Sequence, residues 1–298
     1  MKLATTTGDY FAYTNSQAEA IQHIKNAGFK YIDYNFCLDY NKNVGIFGEN
    51  YEEYIKEITL TCKNLGVKLV QAHAPMGRPF EDGGVLLNKT LRCVDACGAW
   101  GIKNIVVHSG YSAGLSKEET FKRNKEFYMP LLARAEKYGI NILTENFNKM
   151  CDKNIYWIDN AIDLLELIEF VNHPLFHAVW DTGHGNLQEM PQDEAIRLLG
   201  DHIKAVHIQD NNGDWDSHLV PFLGTLNLDS VMNGLFEIGY GGYFTFEVGN
   251  FFTPAKKRRL YEKSTLLASA PLELRNAFQQ YLYKLGKCVL KAYNCFEE

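Results

Sequence analysis

Short apolar, β-branched runs alternate with helical patterns along nearly the whole chain, and this alternation restricts the fold more than any other property. The runs fall at residues 3–6, 30–33, 68–73 (KLVQAH), 104–108 (NIVVH), 141–145 (NILTE), 176–181 (FHAVWD), 203–209 and 243–247 (YFTFE). Helical patterns lie between them, over 16–26, 51–65, 85–99, 117–138, 161–170, 192–199 and 228–238. Several stop at a glycine (Gly28, Gly66, Gly139), the residue that most readily takes the left-handed backbone of a helix end. A continuously apolar strand followed by a helix belongs in a parallel sheet covered on both faces. Eight such units predict an α/β chain folded as a (β/α)8 TIM barrel. No linker or low-complexity stretch divides the chain, so residues 1–253 are assigned to the barrel. Residues 254–298, helical in pattern, form a C-terminal extension that packs on the barrel or joins a second copy in a homo-oligomer.

In such a barrel the carboxyl ends of the strands form the floor of the active site. Strands three to eight here end in His73, His108, Glu145, Asp181, His207 and Glu247. A single histidine or carboxylate at a strand end is usually structural, a hydrogen-bonded imidazole or a helix cap. Six in succession would face one cavity. Glu145, Asp181, His207 and Glu247 come from neighbouring strands, and three carboxylates with one imidazole suit Mn2+, Zn2+, Co2+ or Mg2+. His184, Asp216 and His218 follow closely in the next loops and could add ligands. His23, His173, His177 and His202 fall on helices or at strand starts and read as structural.

Composition narrows the function. A net charge of −6 argues against an unassisted nucleic-acid binder, which needs clustered Lys and Arg. Seven cysteines form no CxxC pair and suit reduced thiols. With neither a signal-peptide pattern nor an apolar run of membrane-spanning length, the expected location is cytoplasmic, with no membrane partner.

At these strand ends the chain resembles the xylose isomerase-like TIM-barrel superfamily, which holds sugar isomerases and epimerases, inositol-catabolism enzymes and the zinc-dependent apurinic endonucleases of family 2. The likeness covers roughly residues 1–250. It is carried by Glu145-Asn146, Asp181-Thr182-Gly183-His184, His207-Ile208-Gln209-Asp210-Asn211, Asp216 with His218, and Gly224. The resemblance implies that Glu145, Asp181, His207 and Glu247 bind one divalent ion, and that Glu145 and Glu247 exchange the substrate proton through an enediolate. It equally implies a larger set, with His73, His108, His184, Asp216 and His218, that holds three zinc ions in the endonucleases. The loops separate the two. Residues 184–194 and 210–219 contain no Lys or Arg but do contain Glu189, Asp210, Asp214 and Asp216. Aromatics fall where loops should line the mouth: Phe36, Tyr40, Phe47, Phe80, Tyr111, Phe147, Trp157, Trp215, Phe222, Phe251 and Phe252. An acidic, aromatic mouth suits a carbohydrate or polyol better than a phosphodiester backbone.

The expectation is therefore a divalent-metal-dependent sugar or cyclitol isomerase/epimerase. Glu247 would remove the proton and Glu145 return it, or pass it to a leaving hydroxyl in a dehydratase variant. His184, Trp215 and Arg78 would contact the substrate. The alternatives are a zinc-dependent endonuclease-like phosphodiester hydrolase and a non-catalytic binding barrel. Two positions depart from the ketose 3-epimerases: Gly213 stands where they carry an Arg, and Cys151 where they carry a second Glu.

Overall fold

A computed structural model describes residues 1–148, 152, 154–252 and 270–298. Its eight strands are β1 (Lys2–Thr6), β2 (Tyr31–Asn35), β3 (Lys68–His73), β4 (Asn104–Val106), β5 (Asn141–Glu145), β6 (Phe176–Asp181), β7 (Ile203–Ile208) and β8 (Tyr243–Phe246). Each pairs in parallel with the next, and β8 pairs with β1, closing the barrel. The helices are α1 (Gln17–Ala27), α2 (Cys37–Lys42), α3 (Tyr51–Leu65), α4 (Val85–Trp100), α5 (Lys117–Ala135), α6 (Ala161–Val171), α7 (Thr182–Asn186), α8 (Gln192–Leu199), α9 (Leu228–Glu237) and α10 (Leu272–Ala292). The (β/α)8 architecture is the one the alternating pattern predicts. No described helix is long and apolar enough to cross a membrane.

Local chemistry sets the helix ends. The Ser16 side chain accepts the Glu19 N–H to start α1, and Ser116 with Glu119 forms a reciprocal capping box before α5. Gly28 and Gly66 end α1 and α3 at φ +114° and +63°, backbone that side chains with a Cβ avoid. β4 stops at Val106, two residues before His108, and β8 at Phe246, one before Glu247. Both are shorter than the sequence pattern suggests, since a composition pattern and a hydrogen-bonded ladder commonly differ by a residue or two at an element's end.

The C-terminal helix packs on the barrel. Gly286 lies against Leu3 and Phe246, and Gln279 donates to Thr5 Oγ1 (2.8 Å). Near its end, Tyr293 bonds Asp229 of α9 and approaches the Phe236 ring. The helix therefore covers β8 and β1 in the interval after β8. The start of the tail, residues 254–269, lies outside the described residues, as does Cys151.

Candidate active site

Side chains alternate between the two faces of a strand, and this rule builds the site from below. Val106, Leu143, Val179 and Ala205 meet inside the barrel as a separate apolar layer. Two residues further along stand His108, Glu145, Asp181 and His207, which the same alternation turns inward one layer higher. On the other half of the wall Asp33, Gln71 and Thr245 occupy the lower layer, two residues before Asn35, His73 and Glu247, and all three are buried. Register completes the placement, with Asp181 paired to His207 and His207 to Thr245 across adjacent strands.

The structure brings nine ligand-capable residues into three groups: His73, His108 and Glu145; Glu145, Asp181, His207 and Glu247; and His184, Asp216 and His218. Ligand atoms within each group lie within 4.8 Å of one another. Glu145 belongs to two of them. Its Oε2 faces His108 Nε2 (2.9 Å) and His73 Nε2 (3.6 Å), while Oε1 faces His207 Nδ1 (2.9 Å). Asp216 bridges His184 Nε2 (3.2 Å) and His218 Nε2 (3.3 Å).

Backbone carbonyls fix three of the rings. His73, His184 and His218 direct Nδ1 to the carbonyls of Ala74 (2.9 Å), Asn146 (2.8 Å) and Glu247 (3.0 Å). A carbonyl only accepts, so Nδ1 carries the hydrogen and Nε2 is left facing the carboxylates. His207 is reversed. Its Nδ1 faces Glu145 and, at 3.4 Å, Glu247, and its Nε2 points back to Gln71 (2.8 Å) and Asp33 (3.3 Å).

Amides hold the carboxylates in place. Asn146 Oδ1 accepts the Asp181 N–H (2.8 Å), and its Nδ2 donates to the Asp181 carbonyl (3.0 Å). Gln209 Nε2 donates to Asp181 Oδ1 (3.1 Å) and Asp216 Oδ1 (3.0 Å). The Asp-Thr-Gly-His motif gains a physical reason here, since a Cβ on Gly183 would lie 2.0 Å from Gln209 Oε1. Asp210 faces its own loop rather than the cavity. Its carboxylate accepts the N–H groups of Asn211 (2.7 Å), Phe222 (3.1 Å), Gly224 (2.9 Å) and Leu226 (2.9 Å).

Burial would push every carboxyl here up and every imidazole down, but the neighbouring charges override it at most positions. Glu145 is held well below the usual carboxylate range by His207, His108 and His73, and Glu247 is lowered by His207 and His218. Against burial, His184 is carried up to about 9 by Asp181 and Asp216, and His218 to about 10 by Asp216 and Glu247. His207 moves well above its usual value through Glu247 and Glu145. Burial prevails at Asp181, raised to about 6, and at His108, which is lowered. Imidazolium protons thus balance the carboxylates, a positive charge that a cation could supply instead. Asp181 Oδ2 supports that exchange: it is buried with no hydrogen-bond partner among the described residues, inside the group that also holds Glu145, His207 and Glu247. The donor set fits a divalent ion.

Above this floor opens a cavity of about 590 Å3. Tyr111, Phe147 and Trp157 line one wall, with Phe147 and Trp157 stacked at 4.1 Å. Arg78 stands at the rim, paired with Glu81 at 3.1 Å. Other aromatics expected at the mouth lie elsewhere. Phe36 packs with Tyr34 and Trp100, Tyr40 packs against Phe47, and Phe251 stacks on Phe278. Trp215 is 55% exposed and lies outside the cavity lining, as does exposed Phe222. Asp33, Gln71 and Asn148 were not singled out from the sequence, and Asn146 and Gln209 entered only as parts of the motifs that carry the resemblance, although all five contact the ligand-capable side chains or their strands. For Asp33 the signal was present: in Tyr31-Ile32-Asp33-Tyr34-Asn35 the polar residues share one face, the face that turns inward.

The family model described as xylose isomerase-like TIM barrel matches residues 21–264. A fructoselysine 3-epimerase of Escherichia coli O157:H7 is 27% identical over 53% of this chain and 55% of its own length, so the match spans about half of that protein. An L-ribulose 3-epimerase of Methylomonas sp. (strain DH-1) is 25% identical over 77% of each. The crystal structure of IOLI protein with a binding zinc atom superposes with a TM-score of 0.73 at 18% identity, covering 95% of this chain and 96% of that one.

Proposed function

Because this chain belongs to the xylose isomerase-like TIM barrel family, we propose that it is a sugar or cyclitol isomerase or epimerase that works with a divalent cation. The similarity to proteins named as sugar 3-epimerases supports a sugar substrate. The observation that carries the mechanism is the meeting of Glu145 and Glu247 with Asp181 and His207 on the cavity floor. These four side chains would hold Mn2+, Zn2+, Co2+ or Mg2+. When bound, the ion supplies Lewis acidity toward adjacent carbonyl and hydroxyl oxygens of the substrate. Glu247, exposed to the cavity, accepts the proton of the C–H beside the carbonyl. Glu145 returns a proton to the other face or to the neighbouring carbon. His184, which lines the cavity, would hydrogen-bond a substrate oxygen or hold a second ion. The Tyr111–Trp157 wall offers an apolar surface to the sugar carbons, and Arg78 would meet a carboxylate or phosphate if the substrate carries one. Trp215 takes no part in this reading.

A second reading draws on the remaining ligand groups, which share or adjoin Glu145: up to three zinc ions serving phosphodiester hydrolysis. The acidic loops over 184–194 and 210–219 disfavour it, since they offer no Lys or Arg to a nucleic acid.

Glu247→Gln tests the proton-transfer assignment. Loss of a general base lowers turnover by about 10²–10⁴-fold, and the variant should keep its fold, with turnover read at saturating cation because a ligand charge is lost as well. Near-wild-type turnover would overturn the assignment.

A further inference from the structure

We infer that the substrate is larger than a single sugar: a ketosugar or cyclitol ketone joined to a second, flat-bodied group that ends in an anion, held in the outer half of the cavity by Tyr111, Trp157 and Arg78. This rests on the isomerase or epimerase reading above. Each CHOH unit takes about one water's share of space, about 30 Å3, so a six-carbon sugar seated on the floor fills about a third of the 590 Å3 available. The wall runs in sequence from floor to rim. His108 meets the Phe147 ring edge to face (5.1 Å), tying the wall to the ligand-capable residues. Phe147 stacks on Trp157 (4.1 Å), Trp157 meets Tyr111 edge to face (4.5 Å), and the Arg78 guanidinium stands over the Tyr111 ring at 5.9 Å. Phe147 is the ring beside the floor, so the two rings and the cation beyond it are left for what the sugar carries.

Arg78 is exposed, yet its place is built from below. Pro79 and Phe80, the residues after it, close on Gly110, where a Cβ would lie 2.6 Å from each side chain. Gly110 is itself pinned in the interior: its N–H donates to Asn124 Oδ1 (2.6 Å), and its carbonyl accepts from Asn124 Nδ2 (2.9 Å). Glu81 accepts from Arg78 Nη1 (3.1 Å) and from Ser112 Oγ (3.0 Å), which joins the loop after β3 to the loop after β4. Trp157 is held as well, its indole N–H donating to the Asn148 carbonyl. Among the described residues, Arg78 is the only lysine or arginine that lines the cavity. Glu81 engages Nη1, and the planar guanidinium fork has further N–H donors for an incoming carboxylate or phosphate. A neutral monosaccharide on the floor would leave this cation and the two outer rings facing water.

The experiment supplies cation-loaded protein in D2O with ketohexoses in three forms: free, with a phenylamino group on the carbon beside the carbonyl, and with a 4-carboxyphenylamino group there. Protein-dependent deuterium exchange next to the carbonyl gives kcat/KM for each form. The phenyl form should exceed the free sugar by about 2–10-fold, the gain from one aromatic contact. The carboxyphenyl form should exceed the phenyl form by about 10-fold, the effect of a charge-assisted hydrogen bond at a partly screened site. In Arg78→Met that last ratio should collapse to about one, with the loss in KM rather than kcat. Equal kcat/KM across the three forms overturns the inference, and so does a carboxylate preference that survives in Arg78→Met or a loss there that is uniform over the forms. In each of those cases the exchange itself still upholds the isomerase or epimerase reading. Exchange on no form, with Mn2+, Co2+ or Zn2+ bound, sinks that reading and takes this inference with it.

Discussion

Replacing Arg275 by methionine should destabilise the protein at pH 7 by about 3–5 kcal/mol, the range for removing one partner of a buried ion pair. Arg275 on α10 and Asp9, after β1, have side chains 0% and 3% exposed and pair at 2.7 Å. The guanidinium also donates to the Val248 carbonyl (3.2 Å) and to Gln279, and faces the rings of Tyr10, Phe251 and Phe278 at 5.2–5.5 Å. Methionine keeps the aliphatic length but leaves the Asp9 carboxylate among aromatic rings. Burial raises Asp9 to about 6 even though Arg275 pulls it down, and without the guanidinium it rises further. A folded-state value above the usual one means that the folded protein holds more protons than the unfolded chain between roughly pH 4 and 6. Stability therefore falls as pH rises through that window. In the variant the fall continues to higher pH, so its deficit should be wider at pH 7 than at pH 5. Urea unfolding followed by far-UV circular dichroism at both pH values measures this. The double variant Asp9→Asn/Arg275→Met removes both charges and should recover much of the loss. A deficit below about 1 kcal/mol at pH 7, the level of an exposed pair, would refute the reasoning. So would a double variant as unstable as the sum of the singles.

Gly183→Ala forces a Cβ against Gln209, which must then release Asp181 and Asp216. Cation affinity should drop by about 10–100-fold, read by isothermal titration, and an unchanged affinity would contradict the role given to Gln209. Cation uptake should also release protons near neutrality, because His207 holds its proton well above the usual imidazole value and Asp181 is raised to about 6. Binding should weaken as pH falls from 8 to 6. Titration in buffers of different ionisation heat counts the protons, and zero release contradicts this account.

Much of the barrel was legible because local signals agree with the global fold. β3, β5 and β6 run over the residues their apolar, β-branched stretches mark, and Gly28 and Gly66 stop α1 and α3 where a left-handed residue is needed. The gathering of His108, Glu145, Asp181 and His207 was legible for the same reason, since strand alternation and a fixed functional end leave little freedom. What stayed hidden depends on three-dimensional partners. Asp210 looks like a loop acid suited to a cavity, and only the coordinates show four N–H groups closing on it. Trp215 looks like a stacking platform, yet it is largely exposed and is not among the residues that line the cavity. Asp33 and Gln71 read as ordinary strand polarity, because their pairing with His207 spans 174 and 136 positions of sequence (207 − 33 and 207 − 71).

The central claim is proton exchange beside a carbonyl at the Glu145–Glu247 floor. Solvent exchange tests it most directly: the protein reconstituted with Mn2+, Co2+ or Zn2+ is incubated in D2O with a panel of keto sugars and cyclitol ketones, and C–H signals are followed by ¹H NMR. Deuterium should enter the carbon next to the carbonyl of at least one compound, and a chelator should abolish the exchange. A cation-loaded protein that exchanges no proton on any member of the panel, yet cleaves abasic duplex DNA, would contradict the account.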